Sequence, residues 1–306
     1  MRVEFVEAFQ KIIRADRKSL FISGDLGFNA FEGLQTEFAE RFLNAGAAEQ
    51  NMASLAAGLA FEGFHPWIYS IAPFAVYRPF EQIRNDICLH NLPVRVVGNG
   101  GGYTYGIMGS THHCLEDLAV MKVLPNMSLH FPCTQNQVEA HVEQISKLKT
   151  PSYLRLAFSG FPSNALPLRE NSKTLTRHYS IGTEVTIIGV GHAVQIALTA
   201  LEKKLIDSQK VGVFGVSKFP FDFESDIELS AHARTSQNVI VIDEHYLAGS
   251  MAESLKMHLP NVKSFRAITP EYKNSQGYGK PQFQLIQAGV TPEILAGLVS
   301  LKDVNL

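Results

Sequence analysis

RFLNAGAAEQNMASLAAGLAFEGF, residues 41–64, is the stretch from which the rest of the chain can be read. It opens on a short strand-like piece, Arg41-Phe42-Leu43. A tight turn of small residues follows, Asn44 to Ala48, and then a single acid, Glu49. Beyond Glu49 the residues become small and helix-favouring: Met52, Ala53, Leu55, Ala56, Ala57, Leu59 and Ala60. Gly58 inside this run costs about 1 kcal/mol against alanine, which is tolerable where another backbone comes close. The pattern predicts a strand, a turn, and a helix with an Ala/Gly face suited to packing on a partner helix. Glu49 falls at the strand-to-helix junction with almost no other charge nearby. Two readings stand for it: a simple helix cap, or a carboxyl set apart for acid–base work.

Outward from this stretch, strands and helices alternate. Residues 2–16 carry Val3, Phe5, Val6, Phe9, Ile12 and Ile13 at helical spacing. SLFIS (19–23), HPWIYSI (65–71), PVRVVG (93–98), residues 127–131 and SYLRL (152–156) read as strands, with helices over 74–89, 116–124 and 136–147. Alternation of this kind predicts a mostly parallel sheet with helices on both faces. Residues 161–180 are polar, contain Pro162 and Pro167, show little periodicity, and read as a linker. A second αβ unit follows, with strands at 185–190, 211–216 and 239–242 and helices at 193–205 and 249–258. The expected organisation is therefore an α/β chain of two domains, 1–160 and 181–306, each a mostly parallel sheet.

Composition narrows the function. The chain has 306 residues, 45% apolar and 18% charged, with a net charge of −2. No basic stripe suggests nucleic acid, and no apolar run approaches the ~18 residues that would span a membrane. The early acids of MRVEFVEAFQKIIRADRK argue against a signal peptide. Three cysteines, Cys88, Cys114 and Cys133, lack metal-ligand spacing and read as reduced thiols, so a cytoplasmic setting is expected and no metal is assigned to side chains of this chain.

Three further stretches carry polar or aromatic groups worth weighing. GDLG at 24–27 lacks the pattern and the lysine of a phosphate loop and reads equally well as a strand-ending turn. NGGGYTYGIMGSTHH, 99–113, is glycine-rich enough to bring backbone close to a ligand and ends on His112 and His113. An adjacent histidine pair is otherwise an ordinary surface feature. FAVYRPFEQ, 74–82, is either the aromatic face of a core helix or a stacking platform.

GAAEQNMASLAAGLAFEGFHPW, THHCLEDLAVMKVLPNM (111–127) and VIDEHYLAGSMAESL (241–255) together resemble the transketolases, in order and across nearly the whole chain. The first block resembles the pyrimidine-binding domain of that family. The resemblance implies thiamine diphosphate as cofactor, with Glu49 hydrogen-bonded to the ring nitrogen of its aminopyrimidine. It implies Phe74, or failing that Tyr77, as the stacking aromatic, Asp25 and Leu26 as lining residues, and His112 as a catalytic group acting on substrate oxygens. His113, Asn29, Phe158 and Arg78 fall at or beside positions implied to meet substrate.

Departures from the family pattern matter as much. The GDG…Asn motif that holds magnesium and diphosphate is missing. The resemblance therefore implies a split enzyme: this chain plus a partner, the N-terminal diphosphate-binding subunit that holds most of the Mg2+ site, in an α2β2 heterotetramer. Gly100, Met108, Ser110 and Phe158 stand where sugar-phosphate transketolases carry phosphate- and hydroxyl-binding residues. A small sugar substrate other than an ordinary sugar phosphate is expected. The β-type subunit of a 2-oxoacid dehydrogenase and a deoxyxylulose-phosphate-synthase-like enzyme use the same glutamate and are the enzymatic alternatives. A degenerate, non-catalytic partner-binding subunit is the alternative of another class.

Overall fold

The computed structural model describes residues 1–27, 29–157, 159–236, 238–259, 261–272 and 277–300. They form two compact units: 1–101 with 120–157, and 102–119 with the described part of 158–306.

In unit 1 the buried apolar runs become β1 (Ser19–Ser23), β2 (Phe42–Asn44), β3 (His65–Ile71), β4 (Arg95–Asn99), β5 (Ser128–His130) and β6 (Ser152–Leu156). They lie in the order β5-β6-β4-β3-β1-β2, and every pair is parallel. Phe21 is in register with Phe42 on one side and Trp67 on the other. After β2 the chain crosses back past β1 to reach β3, so the connection that carries Glu49 spans the point where the strand order reverses. Ligands of open parallel sheets gather outside the carboxyl ends of the strands at such a point.

Side chains alternate along a strand, which divides the sheet into two faces. Phe21, Trp67, Tyr69, Val97, Leu154 and Leu156 pack with Phe5, Phe9 and Ile13 of helix Arg2–Ala15 and with Val138, Val142 and Ile145 of helix Val138–Ser146. Rings interlock there, Phe9 at 5.2 Å from Trp67 and Phe21 at 4.7 Å from Phe31. Burying each such side chain contributes about 1.5–3 kcal/mol. Helix Glu49–Phe61 packs on β3 with Met52, Ala53, Ala56, Ala57 and Ala60 turned inward. The alanine face is thus used inside the protomer. Leu55 and Phe61 point outward, 40% and 75% exposed, and a Cβ added at Gly58 would meet nothing within 4 Å.

The single helix expected over 74–89 is broken into Ala72–Val76, Phe80–Gln82 and a π turn over Ile83–Cys88. Pro79 accounts for the first break: it has no N–H to donate, and it disfavours α geometry at Arg78 before it.

Unit 2 holds β7 (Arg169–Glu170), β8 (Arg177–Ile181), β9 (Val185–Val190), β10 (Val211–Val216), the two-residue β11 (Lys218–Phe219), β12 (Asn238–Ile242) and β13 (Ser264–Ile268). Its sheet order is β13-β12-β9-β10-β8-β7. The strands from β13 to β10 are parallel, and β8 and β7 join antiparallel. Residues 161–180, polar enough to read as a linker, therefore include β7 and most of β8. From Gly102 on, the glycine-rich segment belongs to this unit as well. Gly102 and Cys114 exchange backbone hydrogen bonds of 2.9 and 3.0 Å, and the Tyr246 N–H donates to the Leu115 carbonyl at 3.2 Å. Among the described residues, no helix is long and apolar enough to cross a membrane.

Candidate active site

Glu49 is the first residue of its helix, and Ala48 before it offers no side-chain cap. The carboxyl of Glu49 does not cap the helix either; its hydrogen bonds run across the unit. Oε1 accepts from the Ser70 hydroxyl at 3.0 Å and Oε2 from Arg78 Nη1 at 3.0 Å. Glu49 is 3% exposed and Ser70 fully buried. A buried carboxylate is sustained only by such bonds. Ser70 is placed by β3, whose carboxyl end lies between those of β1 and β4.

Phe74 lies on helix Ala72–Val76, directly after β3. The Arg78 guanidinium sits over its ring, with the central carbon 3.9 Å from the centroid. Glu49, Ser70, Phe74 and Arg78 thus form one constellation: a buried acid, a hydroxyl, an aromatic face, and a planar cation between acid and ring. Tyr77 is half-buried on the same segment. Sequence reasoning does not single out Ser70. Its only signal is a small hydroxyl near the end of a strand otherwise filled by large apolar side chains.

The other candidates fall elsewhere. Asp25 takes a left-handed backbone, φ 59°, and its carboxylate accepts from Asn44 Nδ2 at 2.9 Å. Leu26 is held by Ser23, whose hydroxyl donates to its carbonyl at 2.8 Å. Both line a cleft with Phe31, Gln35 and Asn44, and Glu49 is not among its walls. Asn29 is exposed, also left-handed at φ 60°, with its backbone N–H on Glu32 Oε1 at 2.6 Å. Phe158 lies outside the described residues.

His112 and His113 belong to unit 2. His112 closes a 3₁₀ turn, Ser110–His112, with Nδ1 3.0 Å from the Thr111 hydroxyl. His113 is buried, its ring edge-on to Tyr103 at 5.0 Å. A few residues on, Asp117 anchors this segment: its Oδ1 lies 2.9 Å from His245 Nε2, and all of Asp117, Asp243 and His245 are buried. His245 Nδ1 faces Asp243 Oδ1 at 2.5 Å. Gly101, in unit 1, admits no side chain, since a Cβ there would meet Arg155 Nε at 1.8 Å. Arg155 itself is 2% exposed, with its guanidinium 5.3 Å from the Phe131 ring centroid.

A doubly wound parallel unit with a hydrogen-bonded buried acid beside an aromatic face, at the carboxyl edge of the sheet, has the architecture in which α/β proteins place their ligand sites. Comparison with known proteins makes this specific. Residues 1–159 match the family model of the transketolase pyrimidine binding domain. The chain is 27% identical to an apulose-4-phosphate transketolase subunit of Phocaeicola vulgatus, over 82% of this chain and 80% of that protein. It is 31% identical to a putative transketolase C-terminal section of Methanocaldococcus jannaschii, over 75% of this chain and 73% of that one. A solved structure described as a split gene transketolase, inactive beta4 tetramer, superposes with a TM-score of 0.82 at 30% identity, covering 97% of this chain and 96% of the other. The chain belongs to the transketolase family.

Proposed function

We propose that this chain is the pyrimidine-binding and C-terminal subunit of a two-component, thiamine-diphosphate-dependent transketolase-like enzyme. Its reaction moves a two-carbon ketol unit from a ketose donor to an aldehyde acceptor. The observation that carries this reading is the Glu49 carboxylate, buried at the switch point of the sheet with the Phe74 face beside it. The pair fits an aminopyrimidine, because a flat, N–H-bearing group, the Arg78 guanidinium, already spans acid and ring. Thiamine diphosphate, when bound, supplies the carbanion chemistry.

Each role follows from a side chain of this chain. Glu49 would hold a proton at the ring nitrogen, with Ser70 keeping its other oxygen in place. Phe74 would take the ring face, with Tyr77 as second choice. Asp25 and Leu26 are proposed at the rim of the cofactor site, and His112 as the group that polarises substrate oxygens. His113 and Asn29 are proposed on the substrate side. The two domains are proposed as 1–160 and 181–306, with β7 and β8 of the segment between them completing the sheet of the second.

The partner is proposed to be an N-terminal subunit that holds the diphosphate and most of the Mg2+ site, in an α2β2 assembly. The missing GDG…Asn motif supports this. So do the likenesses to the Phocaeicola vulgatus transketolase subunit and to the split gene transketolase structure. Calorimetry with thiamine diphosphate and Mg2+ tests the division of labour. Weak or no binding to the isolated chain and tight binding to the chain with its partner is the expected result. Tight, magnesium-dependent binding to the isolated chain would contradict it.

A further inference from the structure

Arg78 lies between Glu49 and Phe74, the two side chains proposed to hold the cofactor ring. Its Nη1 donates to Glu49 Oε2 at 3.0 Å while its guanidinium lies 3.9 Å from the Phe74 centroid. A guanidinium is planar, carries N–H donors along its edge, and stacks on aromatic faces. An aminopyrimidine would engage Glu49 and Phe74 through the same two features, a flat face and a nitrogen-bearing edge. One ring face and one carboxylate oxygen cannot serve both groups at once.

The two partners of this ion pair differ in freedom. The Glu49 side chain is 3% exposed and the Arg78 side chain 49% exposed. The acid is fixed by its helix and by Ser70, whereas the arginine reaches in from solvent, and its departure gives up the bond to Glu49 and the stack on Phe74. Its position just before Pro79, at the break between two short helices, sets its backbone outside regular helix.

We propose that Arg78 is a displaceable plug of the aminopyrimidine slot. It satisfies Glu49 in the cofactor-free chain and swings out when the ring enters. This rests on reading Glu49 and Phe74 as the ring-binding pair. In the free chain a bare Glu49 would be a buried carboxylate with one oxygen unpaired, which is costly. The plug removes that cost before the cofactor arrives. It also lowers apparent cofactor affinity, because only the fraction of chains with the slot open can bind.

The test uses the full chain assembled with its partner, titrated with thiamine diphosphate and Mg2+ by calorimetry, and melted without cofactor. Arg78→Met, which keeps the stem but not the plane or charge, should lower the melting temperature of the cofactor-free protein and tighten Kd about tenfold. Arg78→Lys, charged but not planar, should fall between Arg78→Met and wild type. Phe74→Ala should weaken Kd tenfold or more. If Phe74→Ala weakens binding while both Arg78 variants leave Kd unchanged or weaker, the plug is wrong and the slot stands. If Phe74→Ala leaves Kd unchanged, the ring-binding reading itself is wrong, and the plug falls with it.

Discussion

Ser70 on β3 donates its hydroxyl to Glu49 Oε1 at 3.0 Å, joining the end of a central strand to the first turn of the helix that crosses beside it. Both side chains are buried. Ser70→Ala should leave that oxygen without its donor, and a hydrogen bond to a charged group contributes about 1.5–3 kcal/mol. The expected outcome is an unfolding free energy of the cofactor-free chain, from denaturant titration, lower by that order, with the secondary structure retained. Unchanged stability would show that Glu49 does not depend on this bond.

The substrate is expected not to be a simple phosphorylated pentose or hexose. Phosphate is held through charge-assisted hydrogen bonds, roughly twice as strong as neutral ones. Gly100 offers no side-chain donor. Arg155 is buried against Phe131. A competition assay on the reconstituted enzyme should show less than a hundredfold preference for xylulose 5-phosphate over its unphosphorylated analogue. A larger preference, above ~2.7 kcal/mol of transition-state binding, would mean that another group holds the phosphate.

Assembly should respond to the outer face of helix Glu49–Phe61. Gly58 opens to empty space and Leu55 is 40% exposed, whereas Ala56 is fully buried in the protomer's own core. Gly58→Trp should therefore change the oligomeric state while the protomer stays folded, and Ala56→Trp should unfold it by overpacking. Sedimentation and circular dichroism separate the two. A Gly58→Trp chain that assembles like wild type would remove this face from the interface.

The strands were legible because they are short buried apolar runs: β1, β3, β6, β9 and β10 fall where the sequence alone places them. Elements with mixed composition were not. β8, RHYSI, and β13, SFRAI, carry a charged residue among few apolar ones, and helix Ile227–Thr235 has a polar sequence behind its Asp226 cap. The aromatic segment 74–89 misled because hydrophobic periodicity continues through Pro79 while the backbone does not. In the site, Glu49 was visible as a lone acid in small apolar surroundings. Its pairing with Ser70 and Arg78 was not, because they reach it from 21 and 29 residues away and no local pattern encodes that contact; Arg78 was legible only as a residue beside the substrate.

Acid should weaken the tie between the start of β1 and β3. Asp16 lies 2.7 Å from His65 Nδ1 and accepts from the Ser19 hydroxyl at 2.7 Å. Burial pushes its pKa up, but the bonds from His65, Ser19 and Lys18 outweigh this and hold it at about 2, below the ordinary 3.8. A depressed carboxylate contributes stability that is complete above its unfolded pKa, near 4, and lost as pH falls through 2. Asp16 is 36% exposed, so screening keeps the contribution to about 1 kcal/mol. Asp16→Asn should be less stable than wild type at pH 7, with the gap closing towards pH 2. A gap independent of pH would refute the assignment.

The central claim is that Glu49 works on the cofactor ring, and Glu49→Gln in the reconstituted two-component enzyme measures it most directly. The amide keeps the shape and the hydrogen-bonding capacity but cannot exchange a proton as a carboxyl does. With the fold intact by circular dichroism and thiamine diphosphate saturating, turnover should fall by roughly 10²–10⁴-fold. Turnover equal to wild type under those conditions would contradict the account.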